Sequence, residues 1–228
     1  MALDPTQILF EDNHIIVVNK RASEIVQGDK TGDRTLPDEI KDYLKEKYNK
    51  PGNVFCGVVH RLDRPTSGAV IFARTSKALE RLNAQFRDKE TNKVYWALVE
   101  KLPSPTSGEL KHFLKKNEGQ NKSYPVNSSV AGAKEARLRY QLLQSSERYH
   151  LLEIELETGR HHQIRAQLAA IGCCIKGDVK YGAKRANKDG SICLHARTIQ
   201  FSHPTTKEEI AISAPLPNSD VWPHFKQL

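Results

Sequence analysis

Two short β-branched runs open the chain, Ile8-Leu9-Phe10 and Ile15-Ile16-Val17-Val18, separated by the polar quartet Glu11-Asp12-Asn13-His14. Branched side chains fit a pleated surface and a polar quartet suits a turn, so the pattern predicts strand, turn, strand. A loop rich in Gly, Asp and Lys is expected over 27–34. Thr35 and Asp38 then stand at capping-box spacing with Pro37 in the first turn, and Leu36, Ile40, Tyr43 and Leu44 share one face. That spacing predicts a helix to about Tyr48, ended by Pro51-Gly52. A strand is expected from Val54 to His60, then a buried one over Ala69-Val70-Ile71-Phe72-Ala73. Ser76 reads as the N-cap of a helix presenting Leu79, Leu82 and Phe86 on one side. From Lys93 to Glu100 the chain returns to strand, with Val94, Trp96 and Leu98 on one face and Tyr95, Ala97 and Val99 on the other.

Residues 103–135 are the least regular part, rich in Pro, Ser, Gly, Asn and Lys. One strand, Gly108 to Leu114, is expected there, with exposed loops around it. Arg137 to Leu143 and Tyr149 to Glu157 form an expected hairpin, in which Leu152, Ile154 and Leu156 alternate with Glu153, Glu155 and Glu157 as in a sheet wetted on one face. Thr158-Gly159-Arg160 breaks it, and a helix follows from about His161 to Ile171, stopped by Gly172. Ile192 to Phe201 is the last expected strand; Pro204, Pro215 and Pro217 punctuate the tail. Many strands alternating irregularly with few helices predict an α+β fold with a mixed, largely antiparallel sheet.

The 228 residues suit one domain, or one domain with two lobes, with a core large enough to need no disulfide or metal. No apolar stretch approaches the roughly 18–20 residues that span a bilayer, and the first residues lack a secretory pattern, so a cytoplasmic protein without membrane contact is expected. Cys56, Cys173, Cys174 and Cys193 form no framework and are read as reduced, mostly buried thiols. The formal charge of +8 favours a polyanionic partner, and RNA or DNA is the usual one.

Three groups of residues could carry chemistry. In His60-Arg61-Leu62-Asp63-Arg64-Pro65-Thr66-Ser67-Gly68, a carboxylate between two arginines is favoured in its charged form, as a nucleophile or as part of an ion-paired loop. In Thr158-Gly159-Arg160-His161-His162-Gln163-Ile164-Arg165, a helix start loaded with Arg160, His161, His162 and Arg165 suits phosphate or carboxylate, or is a solvated basic turn. The adjacent histidines point about 100° apart on a helix, so no metal is expected there. Tyr95 is either strand core or a ring that stacks on a base, its phenol available to donate or accept.

Together these residues resemble the RluA family of pseudouridine synthases. The segment GVVHRLDRPTSGAVIFA over 57–73 contains the family's HRLD-x-x-TSG motif. KVYWALV around Tyr95, GRHHQIRAQLAAIGCCIKGDVKYG over 159–182, Leu194-His195-Ala196, His203-Pro204 and Ala214-Pro215-Leu216-Pro217 follow in the family's order. The resemblance covers nearly the whole chain. It implies a single catalytic domain, 1–228, with a basic active-site cleft and no preceding S4-like domain. Asp63 matches the essential aspartate, Arg61 the arginine that enters the RNA beside the displaced base, Tyr95 the tyrosine packed beside that base, and Arg165 the arginine that pairs with the aspartate. His60, Arg160, His162 and Leu194 are the further expected substrate contacts. Two positions depart from the pattern. Gln167 stands where many relatives carry histidine, and Lys20-Arg21-Ala22-Ser23 stands for Lys-Pro-Ala-Gly; neither departure touches the catalytic set, and RNA contacts are what either could alter.

The resemblance implies isomerisation of a flipped-out uridine in ribosomal RNA, or next in transfer RNA, by a monomer without cofactor. An inactive RNA-binding or ribosome-assembly protein would keep the basic surface but has no need of Asp63, Tyr95 and Arg165 together. A hydrolase with paired carboxylates would need an acidic neighbour that the Asp63 motif lacks.

Overall fold

The structure, a computed structural model, describes residues 3–28 and 32–225. The expected loop over 27–34 therefore lies partly outside the described residues. In chain order the strands and helices are β1 (Ile8–Glu11), β2 (Ile15–Lys20), α1 (Leu36–Lys47), β3 (Gly57–Val58), β4 (Ser67–Ala73), α2 (Ser76–Asp88), β5 (Asn92–Val99), β6 (Ser107–Asn117), β7 (Lys122–Val126), β8 (Lys134–Ser145), β9 (His150–Leu156), α3 (Gln163–Ala170), β10 (Leu194–Ser202) and β11 (Glu209–Ser213). The chain divides into two compact units, Met1–Thr91 with Ala196–Pro215, and Asn92–His195 with Leu216–Leu228.

In the first unit β1–β2, β2–β4, β3–β4 and β10–β11 pair antiparallel. Every residue of β4 is buried, and Ile15 to Val18 of β2 are fully buried, so both faces of this sheet are covered. One cluster joins Ile15, Val17, Ala69 and Ile71 to Ala78 and Leu82 of α2 and to Ile199, Phe201 and Ile212. α1 starts at the expected capping box: the Thr35 hydroxyl accepts from Asp38 N, and the Asp38 carboxylate accepts from Thr35 N. α2 differs by one residue. Thr75, not Ser76, is its cap and accepts from Ala78 N at 3.2 Å. The strand expected over 54–60 is only two residues long, because Phe55 stands 44% exposed and only Gly57 and Val58 find a partner in β4. β11 was not expected; its Ile210 and Ile212 alternate, and it pairs with β10 over five residues.

In the second unit the order is β5-β9-β8-β6-β7, each neighbouring pair antiparallel. The region 103–135 is sheet rather than loop, since β6 runs eleven residues and β7 closes a hairpin on it. Pro125 hid β7 from pattern reading. Proline donates nothing to a ladder, and β7 is the end strand of this order, where that costs little. α3 sits against β6 and β7, with Ala166 packed among Leu114, Ala136 and Tyr181. The fully buried Gln167 amide donates to Leu110 O at 2.9 Å and Ala136 O at 3.2 Å and meets His112 Nδ1 at 3.1 Å. The expectation that this departure alters RNA contacts is therefore corrected: Gln167 ties α3 to β6 and β8 from inside. The four cysteines are free thiols, Cys173 and Cys193 buried, Cys56 and Cys174 half-buried.

Candidate active site

The Asp63 loop runs from β3 to β4 in the first unit. A turn closes behind the aspartate, Thr66 N donating to Asp63 O at 3.0 Å, while Leu62 is buried and Asp63 is half-buried. The loop rests on Lys20, the last residue of β2, which is 0% exposed. Its ammonium donates to Arg21 O at 2.9 Å, Arg64 O at 3.2 Å and Thr66 O at 2.8 Å, so each N–H has an acceptor. Burial pushes the Lys20 ammonium down to about 7, opposed by the negative charges of Glu24 and Asp63. Ser23 N adds a bond to Arg64 O at 2.9 Å. At the start of β4, Gly68 has φ 119° and lies against Ala196; a Cβ there would stand 2.4 Å from Ala196 O, so only glycine fits.

The other groups of the motif have defined partners. His60 Nε2 accepts from Ile71 N at 3.1 Å while its ring stacks on Phe86 at 4.8 Å. The exposed Arg61 donates to Gln27 Oε1 at 3.0 Å, and Arg64 pairs with Asp33. Thr66 Oγ1 is buried without a hydrogen-bond partner among the described residues.

In the second unit Tyr95 is 8% exposed on β5, opposite Ile154 of β9. Arg165, in the first turns of α3, is 5% exposed and makes a bidentate pair with the buried Asp178, Nε to Oδ2 at 2.7 Å and Nη2 to Oδ1 at 2.8 Å. Its guanidinium also lies 5.0 Å from the centre of the Tyr181 ring. The Tyr181 hydroxyl accepts from Ser123 N at 2.8 Å and meets His162 Nδ1 at 3.0 Å. His162, at φ 52°, is the turn that starts α3 and is buried. Burial pushes its pKa down to about 2, with Arg165, His161, Lys180 and Lys116 adding positive charge nearby, so it is a neutral ring.

The helix start is closed from within. Gln163 Oε1 accepts from Arg160 N at 2.9 Å and from the Thr158 hydroxyl at 2.8 Å. Arg160 is exposed, its Nε on Glu135 O, and Leu194 is 4% exposed at the start of β10.

Lys20, Asp178 and Tyr181 support these residues and were not singled out in the sequence. A lysine at a strand end reads as solvated, and nothing local betrays its carbonyl partners. The Gly-Asp and Tyr-Gly pairs at 177–178 and 181–182 lie inside the run that carries the resemblance, so Asp178 and Tyr181 had a signal there.

Comparison with known proteins gives the family of the chain. Residues 14–170 match the family described as RNA pseudouridylate synthase. An uncharacterized RNA pseudouridine synthase of Bacillus subtilis is 35% identical over 92% of this chain and 68% of its own length. The ribosomal large subunit pseudouridine synthase D of Zymomonas mobilis is 32% identical over 98% of this chain and 73% of its own length. Among solved structures, human RNA pseudouridylate synthase domain containing 4 superposes with a TM-score of 0.78 at 24% identity, covering 93% of this chain and 89% of that one, which shows the same fold. The chain, with its HRLD-x-x-TSG motif inside the matched span, belongs to the RNA pseudouridylate synthase family and is an RNA pseudouridine synthase, an isomerase.

Proposed function

We propose that the protein isomerises uridines of ribosomal RNA, with Asp63 as the nucleophile. The observation that carries this reading is the support of the Asp63 loop: a buried ammonium fixes the backbone on which the half-buried aspartate stands. An aspartate so mounted is preorganised toward something entering from solvent. The ribosomal choice follows the relatives named for the large subunit, in Zymomonas mobilis and Vibrio vulnificus; transfer RNA is the second choice.

The reaction breaks the bond from ribose C1′ to uracil N1, turns the base, and joins C1′ to C5, whose proton leaves. It is redox-neutral and consumes no co-substrate. Unstacking the target nucleotide costs a few kcal/mol, which phosphate contacts offset. Asp63 attacks C1′, or removes the C2′ proton to give a glycal; both routes need it ionised. By the resemblance, Arg61 enters the space the base leaves, Tyr95 packs beside the loose uracil, and Arg165 matches the arginine that the family pairs with its aspartate.

Asp63→Asn and Asp63→Ala are expected to abolish tritium release from RNA labelled at uridine C5 while retaining RNA binding. Pseudouridine formed by either variant would end the assignment. Mapping pseudouridine in a strain lacking the protein is expected to show sites lost from ribosomal RNA; loss confined to transfer RNA would overturn the first choice.

A further inference from the structure

The β6–β7 hairpin gathers positive charge at its closed end. Lys116 and Lys122 flank the turn, and Lys180 reaches it from the short helical turn Val179–Tyr181, its Nζ on Gln120 O at 3.3 Å and Asn121 O at 3.2 Å. Lys122 Nζ lies 5.0 Å from the centre of the Tyr124 ring and 4.8 Å from that of Tyr181. His161 is docked on the same turn, Nδ1 on the Ser123 hydroxyl at 2.8 Å and Nε2 on Asn121 Oδ1 at 3.1 Å. The acid at this end is Glu118, 78% exposed and paired with Lys116.

The Lys180 ammonium is thus held by backbone carbonyls and that of Lys122 by two rings. Lys116, paired with the exposed Glu118, projects from the hairpin ladder rather than from a loose loop. Preorganised charge loses less freedom when it meets a ligand. The neutral His162 nearby is held so first by its burial, with Lys180 and Lys116 adding smaller contributions of the same sign. Tyr124, 37% exposed, and Val179, 56% exposed, add apolar surface beside the charge. Fixed cations interleaved with an exposed ring form the footprint of a nucleic-acid backbone with its bases.

We propose that the end of the β6–β7 hairpin, with Lys116, Lys122 and Lys180 around Tyr124, is an RNA-binding surface that takes the phosphodiester backbone of the substrate. This rests on the reading of the chain as an RNA-modifying enzyme and adds a region with no part in that chemistry. Each lysine that neutralises a phosphate contributes about 0.7 to 0.9 to the slope of log affinity against log salt.

The probe is a fluorescein-labelled stem-loop RNA with uridines in its loop, titrated by anisotropy at several salt concentrations. The triple variant Lys116→Gln, Lys122→Gln, Lys180→Gln is expected to raise Kd at least tenfold near 0.1 M salt and to flatten the salt slope by roughly 2. Lys116→Glu alone, which gives up a pair with an exposed partner, is expected to raise Kd several-fold with an unchanged melting temperature. A control triple at exposed Lys77, Lys89 and Lys207 is expected to keep Kd within twofold. In turnover, the hairpin variants are expected to raise KM more than they lower kcat.

A folded triple variant with the wild-type Kd and slope would overturn the surface, whatever its activity. A wild type that binds through these lysines yet forms no pseudouridine would sustain the surface and sink the enzymatic reading.

Discussion

The loop that carries Asp63 and the helix that carries Arg165 are each anchored inside their own unit, by different means. Behind Asp63 the anchor is backbone: one buried ammonium collects carbonyl oxygens of residues 21, 64 and 66. Around Arg165 the anchor is side chain on side chain, a guanidinium against the Asp178 carboxylate with Tyr181 beside it. The first device depends on a single residue, whereas the second depends on two charges that must be kept or lost together.

The largest effect should come from splitting that pair. Asp178→Asn breaks the bidentate pair of a guanidinium at 5% exposure, and breaking a buried pair typically costs about 3–5 kcal/mol. Urea unfolding measures it. Combining Arg165→Met with Asp178→Leu is expected to recover a good part of the loss, since a buried pair replaced by apolar volume is often near neutral in stability. A loss under 1 kcal/mol for Asp178→Asn would mean that the helix is anchored elsewhere.

Lys20→Met tests the other device and should cost less. It takes the buried donor from Thr66 O, a loss worth about 1–3 kcal/mol, while Arg64 O keeps its bond from Ser23 N, and it removes the burial cost of the ammonium. A net loss of about 1–2 kcal/mol in urea unfolding is expected. A drop in kcat should accompany it, larger than the change in KM, because the loop and not the RNA surface is disturbed. Equal activity in a folded Lys20→Met protein would show that the carbonyls do not depend on Lys20.

The same contrast explains what was legible in the sequence. Devices that use neighbours in sequence could be read: the Thr35–Asp38 box, the stop at Gly172, the runs of β2 and β4. Gly68 could be read as a turn, though its close approach to Ala196, 128 positions away, could not. The Lys20 and Asp178 anchors join residues 46 and 13 apart through contacts that no periodicity encodes. β7 was lost because proline and polar residues on an end strand resemble loop, and the outer edge of α2 shifted because threonine and serine cap equally well. Asp63, Tyr95 and Arg165 were found through the family likeness; spacing alone left each with a structural alternative.

Acid should separate the two regions next, because the helix start holds a buried neutral histidine. His162 takes a proton near 6.5 when unfolded but only at about 2 when folded. Its contribution is therefore fully present above pH 6.5 and is lost as pH falls below that value, by up to about 1.4 kcal/mol per pH unit. His112, also held low by burial, acts in the same direction. Carboxylates held low, such as Asp38 by the Thr35 hydroxyl, keep their contribution above about pH 4 and lose it only as pH falls below that. Stability measured from pH 7 to 5 is expected to fall, and His162→Asn to flatten the slope. An unchanged slope in the variant would place the proton uptake elsewhere.

The smallest effect lies beside Asp63, at the departure from Lys-Pro-Ala-Gly. Ser23 stands where the family pattern has glycine and keeps the left-handed backbone, φ 73°, that glycine adopts without strain. A non-glycine residue there costs roughly 1–2 kcal/mol, of which the greater entropy of an unfolded glycine returns about half when the substitution is made. Ser23→Gly should therefore raise stability by about 0.5–1 kcal/mol. The bond from residue 23 N to Arg64 O survives the change, since it is backbone to backbone. Activity is expected to hold, because the Asp63 loop keeps both its Lys20 and its residue 23 supports. A destabilised Ser23→Gly protein would mean that the serine side chain, though exposed, does more for this corner than its backbone strain takes away.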